Sequence, residues 1–302
     1  MTTRRANGRS GPATRRLTPR LVAAAAEAAC LLELRAEKPG NVWRGHERPG
    51  LRHRDLLASA QAIEPVFLRL ARGRVGRLVL EAVRATRRHV TTNTNLGIVL
   101  LLAPLAKAAL LRGPVDFRGR LRRVLEGLDV QDARDVYAAI RLARPGGLGR
   151  VGQEDVRRRP GRDLLAIMRL AAGRDAVARE YATGYEATFE VGAPALRRLR
   201  TEGLDIGPAI VETFLILLAA SPDTLIARRH GRRAATAVSR AAAKALERGG
   251  TRTPEGRQAI LHLDRKLVRS RPAMNPGATA DLTTAALFVW LVESAATRPA
   301  GG

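Results

Sequence analysis

Apolar residues in this chain recur at spacings of three and four rather than two. Leu21, Ala24, Ala25, Ala28, Leu31 and Leu32 fall on one face of a helix. Val136, Ile140 and Ala143 do the same, as do Leu164, Ile167, Met168 and Ala171. No run of alternating β-branched and polar residues persists, and no Asn-Gly pair separates two such runs, so no strand is expected. Gly/Pro-bearing breaks such as "KPGN", "RPGGLG", "ASPDT" and "RPAMNPG" punctuate the periodic stretches. The pattern predicts helices over 17–37, 54–71, 75–89, 95–111, 117–126, 130–143, 161–172, 174–190, 193–202, 206–220, 222–230, 232–248, 254–270 and 278–296. The most apolar windows, 96–111 and 206–220, contain Pro104 and Lys107, and Glu212, and are short for a bilayer span, so they read as core helices. No break is long enough to mark a domain boundary, and no repeat of fixed period is present. The expectation is an all-α fold, a single large helical domain over 17–298 with long buried core helices. A disordered basic tail is expected over 1–16.

Composition narrows this picture. The chain is 45% hydrophobic but only 3% aromatic, so Leu, Val, Ile and Ala must build the core. The formal net charge is +25, and apart from Lys38, Lys107, Lys244 and Lys266 every basic side chain (histidine aside) is arginine. Such a charge fits a non-enzymatic basic helical module that binds nucleic acid. The arginines are spread over most segments, however, and aromatic platforms for stacking bases are scarce, so a nucleic-acid partner is not expected. A single cysteine, Cys30, excludes an intrachain disulfide and a Cys-based zinc cluster. The five histidines lack zinc-ligand spacing, which leaves a hard cation held by carboxylates and phosphates as the expected metal. The start "MTTRRANGRSGPATRR" faintly mimics an export signal. Glu27 interrupts the apolar run that follows, and the run continues amphipathically through Glu33 and Arg35, so it reads as a first helix in a cytoplasmic protein with no membrane partner. A homodimer is left open.

Four helix ends carry more polar residues than capping requires. In "EKPGN" (37–41) the first helix stops at Pro39-Gly40, and Lys38 either completes the last turn or offers a point charge to a phosphate. In "TTNTN" (91–95) several consecutive residues could cap one apolar helix, whose free N–H groups also suit an anion. In "SPDT" (221–224) Ser221 fits as N-cap, Pro222 as N1 and Asp223 in the first turn; a functional Asp223 would instead hold Mg²⁺, with Arg228 one turn on to meet phosphates. In "NPGATAD" (275–281) Asn275 caps, Pro276 starts the helix, Gly277 permits close approach, and Asp281 sits beside an apolar wall that obliges it to find a partner. Together two carboxylates, one lysine and two Asn/Thr-rich turns suit a nucleotide–Mg²⁺ site. No GxxxxGK[ST], GxGxxG after a strand, or GxSxG is present. "RPGGLGRVG" (144–152) reads as a flexible connection or active-site flap.

"KPGNV", "TNTNLG", "SPDTLIARRHG" and "NPGATADL", in this order, resemble the triphosphoribosyl-dephospho-CoA synthase family, from about Leu21 to Glu293. The resemblance implies an all-helical transferase that joins ATP to 3′-dephospho-CoA and releases adenine. It implies nucleotide and phosphate contacts from Lys38, Gly40, Asn93, Thr94, Arg228, Asn275 and Gly277. It further implies Mg²⁺ on Asp223 and Asp281, and a base at Asp55 or His53, between which the sequence does not choose. Leu96 stands where the family often has a lysine. The segment 147–190 is similar to a branch found beside one-carbon, tetrahydromethanopterin-type cofactor genes, which implies ribosyl transfer to a different acceptor as an alternative.

Overall fold

A computed structural model describes residues 16–297, apart from 49, 114 and 271–272. Of the tail expected over 1–16, residues 1–15 lie outside the described residues. Among the described residues the chain forms fourteen α-helices and no strand beyond isolated bridges at Trp43–His46 and Arg48–Leu51. They are α1 (Pro19–Arg35), α2 (His53–Leu70), α3 (Val75–Arg87), α4 (Leu96–Leu110), α5 (Phe117–Glu126), α6 (Val130–Ala143), α7 (Leu164–Ala171), α8 (Ala176–Thr183), α9 (Ala193–Thr201), α10 (Ile206–Ala220), α11 (Thr224–His230), α12 (Arg232–Glu247), α13 (Pro254–Arg269) and α14 (Gly277–Thr297). The all-α expectation holds.

Capping chemistry sets many of the starts. Thr18, Asp116, Asp163, Asp175 and Thr253 each accept a backbone N–H from the first turn that follows, and Asp129 with Asp132 forms a reciprocal capping box. The helices α4, α10 and α14 are apolar on nearly every face and form the centre of the molecule. The amphipathic helices surround them, α1 lying against both α2 and α14, and α3 against α6. The last pair approaches closely because Gly76 lacks a side chain; a Cβ there would stand 2.5 Å from the Asp132 carbonyl oxygen. No single helix among the described residues is long and apolar enough to cross a membrane. The successive helices α10 and α11 pass by length and composition only as a pair bent by 57°, and α10 is largely buried in the core.

One predicted helix, 174–190, is in fact two elements. α8 stops at Gly184, where Gly184 and Tyr185 both take positive φ, and a π-helical turn follows at Ala187–Gly192. The buried Glu180 carboxylate stabilises the break by accepting Ala187 N at 3.0 Å, Thr188 N at 2.9 Å and the Thr188 hydroxyl. The break also aims two buried tyrosines at α4. Pro104 has no N–H, so the Leu100 carbonyl one turn earlier loses its helical donor. The Tyr181 hydroxyl donates to that carbonyl at 2.7 Å, and the Tyr185 hydroxyl donates to the Leu101 carbonyl at 3.0 Å. Tyr181→Phe is expected to destabilise the fold by about 1–3 kcal/mol, the cost of an unpaired buried carbonyl. Chemical denaturation of Tyr181→Phe with and without Pro104→Ala checks this, because restoring the backbone N–H should shrink the loss.

Candidate active site

Asp223 ties together two helix starts. It is the N-cap of α11, and its Oδ1 accepts Leu225 N at 2.8 Å and Ile226 N at 3.0 Å. Its Oδ2 accepts both the backbone N–H and the hydroxyl of Thr279, each at 2.8 Å, in the first turn of α14. Asp223 is only 2% exposed. Burial raises its carboxyl above the usual range, and the four donors oppose that rise. This corrects the capping scheme expected from sequence. Ser221 and Pro222 precede the cap instead of forming it. α14 begins at Gly277 rather than Pro276, and the side chain serving its first-turn N–H comes from Asp223, not from Asn275. The Asn275 Oδ1 is left buried with no partner among the described residues. Both Asp223 oxygens are fully used, so in this conformation Asp223 has no spare lone pair to give directly to a metal.

Asp281 is the opposite case. It sits on α14 two residues beyond Thr279, half-buried, and its side chain makes no hydrogen bond or ion pair among the described residues. Its carboxylate presses on Gly97 in the first turn of α4, where a Cβ would run into the Asp281 carboxylate. Burial first, then Glu33, Asp223 and Asp175, push its carboxyl well above the usual range, while Arg228 pulls the other way. Glu33, in the last turn of α1, was not predicted as a site residue. Its periodic position in an amphipathic helix carried no signal; only the fold sets it beside Asp281.

Lys38 and Gly40 shape this wall from behind. Lys38 is fully buried, and its ammonium donates to the Glu33 and Ala36 carbonyls and pairs with Glu33 Oε1 at 3.0 Å. Its three donors are spent closing α1, so the structure places it as a cap and as the counter-ion of Glu33 rather than facing a phosphate. Gly40 has φ +75°, and its N–H donates to Asp264 Oδ1 at 2.8 Å. A Cβ there would strike Leu267 and reach Pro276 Cδ at 3.0 Å. Gly277 likewise allows α14 to start against Leu225, at 2.8 Å from a Cβ. Both glycines serve packing that holds the start of α14 in place.

The remaining predicted residues border the same region. Asn93 is exposed and caps α4 by accepting Leu96 N at 3.2 Å, while Asn95 turns inward to donate to Thr86 Oγ1 at 3.0 Å. Thr94 and Ser59 share a hydroxyl hydrogen bond of 2.6 Å, and Ser59 also donates to the Asp55 carbonyl at 2.6 Å. The first turn of α2, with His53 and Asp55, is thereby joined to the 91–95 turn. The Asp55 carboxylate has only a distant contact, 3.9 Å, with Arg54. Arg228 pairs with Asp175 Oδ2 at 2.6 Å, and Gly146 and Gly147 of the glycine-rich connection lie against Arg229 and Arg228. Arg48, unforeseen from sequence, donates to the Met274 carbonyl at 2.8 Å and leaves Nε and Nη2 buried without partners among the described residues. Among the described residues no group of three His, Cys, Asp or Glu side chains could hold a metal ion unaided. A cation here would need ligands from the substrate.

The helix ends here surround a carboxylate and an amide oxygen that have no partner among the described residues. Residues 19–299 match the family model described as ATP:dephospho-CoA triphosphoribosyl transferase, and the chain belongs to that family of transferases. A Pseudomonas fluorescens protein described as a 2-(5''-triphosphoribosyl)-3'-dephosphocoenzyme-A synthase is 29% identical over 231 residues, 75% of this chain and 69% of the relative. A Pseudomonas savastanoi pv. phaseolicola protein of the same description is 28% identical over 239 residues, 76% of this chain and 70% of the relative. The crystal structure of an Archaeoglobus fulgidus protein described as a triphosphoribosyl-dephospho-CoA synthase superposes with a TM-score of 0.60 at 32% identity, covering 78% of this chain and 98% of that one. These relatives lend no support to the one-carbon acceptor or to the nucleic-acid module.

Two substitutions separate the aspartates. Asp223→Ala strands donors at two helix starts and should cost about 3 kcal/mol in denaturant unfolding. Asp281→Asn should act in the other direction. The Asp281 carboxyl holds its proton to higher pH folded than unfolded, so it favours folding below the ordinary carboxyl pKa and loses that contribution as pH rises through its folded value. At neutral pH, without ligands, Asp281→Asn should therefore gain about 1 kcal/mol or more, and the gain should vanish in acid.

Proposed function

We propose that this chain transfers the triphosphoribosyl group of ATP to the 2′-hydroxyl of 3′-dephospho-CoA with release of adenine, at the junction of α1, α4, α11 and α14. The observation that carries the reading is Asp281, a carboxylate without a partner among the described residues and beside Glu33, in a chain that belongs to a triphosphoribosyl transferase family. A fold does not ordinarily retain such a repulsive group near its core unless a ligand compensates it.

In this reading the acceptor oxygen bonds to the anomeric carbon of ATP as the bond to adenine breaks, and the hydroxyl proton passes to a base. Positive charge develops on the ribose ring, and Asp281 with Glu33 behind it stabilises that charge or holds the magnesium that travels with the triphosphate. Magnesium, when bound, would supply the positive charge that lets phosphate oxygens approach these carboxylates. Asp223 acts by positioning: it locks the first turn of α14 and so fixes where Asp281 points. Asn275 and Arg48, with buried polar atoms unpaired, would take ribose or phosphate oxygens, and Arg228 would exchange Asp175 for phosphate. Asn93 and Thr94 lie in the turn that leads into α4, just before Gly97. Asp55 is the better base because its carboxylate is nearly free of partners, and His53 in the same turn is its competitor.

Chromatography of adenine released from ATP and Mg²⁺, with and without 3′-dephospho-CoA, tests the reaction. Release is expected only with the acceptor; a folded, ATP-binding chain that releases none would sink the acceptor assignment. Asp281→Asn should lower turnover by at least a hundredfold with helical content unchanged, and full activity would remove Asp281 from the site. Mg²⁺ with ATP should raise the thermal midpoint of the wild type by several degrees, and that of Asp281→Asn far less, as expected of a ligand that binds only the folded state.

A further inference from the structure

One group of arginines stands together outside this site. Arg134 and Arg141 on α6, Arg157, Arg158 and Arg159 in the connection to α7, and Pro160 line an open cavity of about 210 Å³ at the surface. Of the five guanidinium groups only Arg157 pairs with a carboxylate among the described residues, Asp155 at 2.9 Å. That carboxylate is already engaged by Val151 N at 3.1 Å and Arg157 N at 2.9 Å. Arg141 donates to the Val156 carbonyl at 2.7 Å, which anchors the connection to α6. Arg157 Nη2 donates to the Gly149 carbonyl at 2.9 Å in the same way. Among the described residues, Arg134 keeps a buried Nε with no acceptor, and its Nη1 reaches only the neutral Gln131 at 3.4 Å. Arg158 and Arg159 are exposed and make no side-chain bond among the described residues.

Ordinary solvated arginines spread apart. Here the backbone holds five together around a depression, with donors left over and Asp155 as the one carboxylate paired with them among the described residues. The fixed forks of arginine match phosphate oxygens two at a time. The volume suits a di- or triphosphate rather than a whole nucleotide. We propose that this cavity is a second anion site, separate from the acidic centre at Asp281, that binds the di- or triphosphate group of a small molecule. None of its lining residues belongs to the candidate active site, and its charge has the opposite sign.

Calorimetric titration of the full chain with inorganic pyrophosphate, in a metal chelator at fixed ionic strength, tests the proposal without depending on catalysis. The wild type should bind one pyrophosphate. Arg158→Ala/Arg159→Ala should weaken that binding at least tenfold, and Arg134→Ala should weaken it as well. A control that removes equal charge elsewhere, Arg265→Ala/Arg269→Ala on α13, should leave it within twofold. Equal losses in both double variants would reduce the cavity to a share of the diffuse positive field and overturn the proposal. Adenine release by Arg158→Ala/Arg159→Ala should match the wild type. Loss of pyrophosphate binding together with adenine release in a folded variant would make the cavity part of the substrate site, and would overturn its separateness.

Discussion

One carboxylate with four donors organises the centre of this molecule. A helix start exposes backbone N–H groups that must find acceptors, and here two starts meet inside the protein, where water cannot serve them all. Asp223 satisfies both, one oxygen for α11 and the other for Thr279 of α14. The geometry of everything nearby follows from that junction. Gly277 must be small because α14 is drawn against Leu225, and Gly40 must be small because the turn after α1 closes over Leu267 and Pro276. With the first turn of α14 fixed, Asp281 on the next turn is carried against Gly97 and cannot swing away.

That junction lets the fold tolerate a group that opposes folding. Asp281 has no donor of its own and three carboxylates as its acidic neighbours, one of which, Glu33, is balanced by Lys38 rather than by solvent. Lys38 is thus spent on making Glu33 tolerable where it stands, and Asp223 on holding Asp281 in place. Both residues sit in the motifs most suggestive of substrate contact, yet their visible work is to support the carboxylates in front of them. A site of this kind gives up stability for charge aimed at a ligand, and the capping bonds around it offset the loss.

Most of the fold was legible because helical periodicity and Gly/Pro breaks are local. Segments 117–126, 130–143 and 206–220 start and stop in the structure where the pattern places them. The segment 174–190 failed because a Glu180 carboxylate that rewards a π-helical turn leaves the apolar spacing almost unchanged. The site was only partly legible for a related reason. The "SPDT" and "NPGATAD" motifs mark helix starts correctly, but which side chain caps which helix depends on contacts between residues 56 positions apart. Glu33 and Arg48 look like ordinary solvated positions in the linear pattern, and become site residues only when α1 and the 41–52 turn pack against the start of α14.

The charges also bear on selectivity in the proposed reaction. A chain of formal charge +25 draws any polyanion toward it, and so cannot by its field alone distinguish ATP from other phosphates. The acidic centre works against that attraction at short range. A bare triphosphate arriving at Asp281 and Glu33 meets like charge in a partly dehydrated setting, where screening is weak. A triphosphate that brings its own divalent cation meets ligands instead. In the proposed reaction, long-range attraction by arginine combined with short-range repulsion by carboxylate would therefore favour the metal-bound form of the nucleotide, without any set of protein ligands among the described residues able to hold the metal alone.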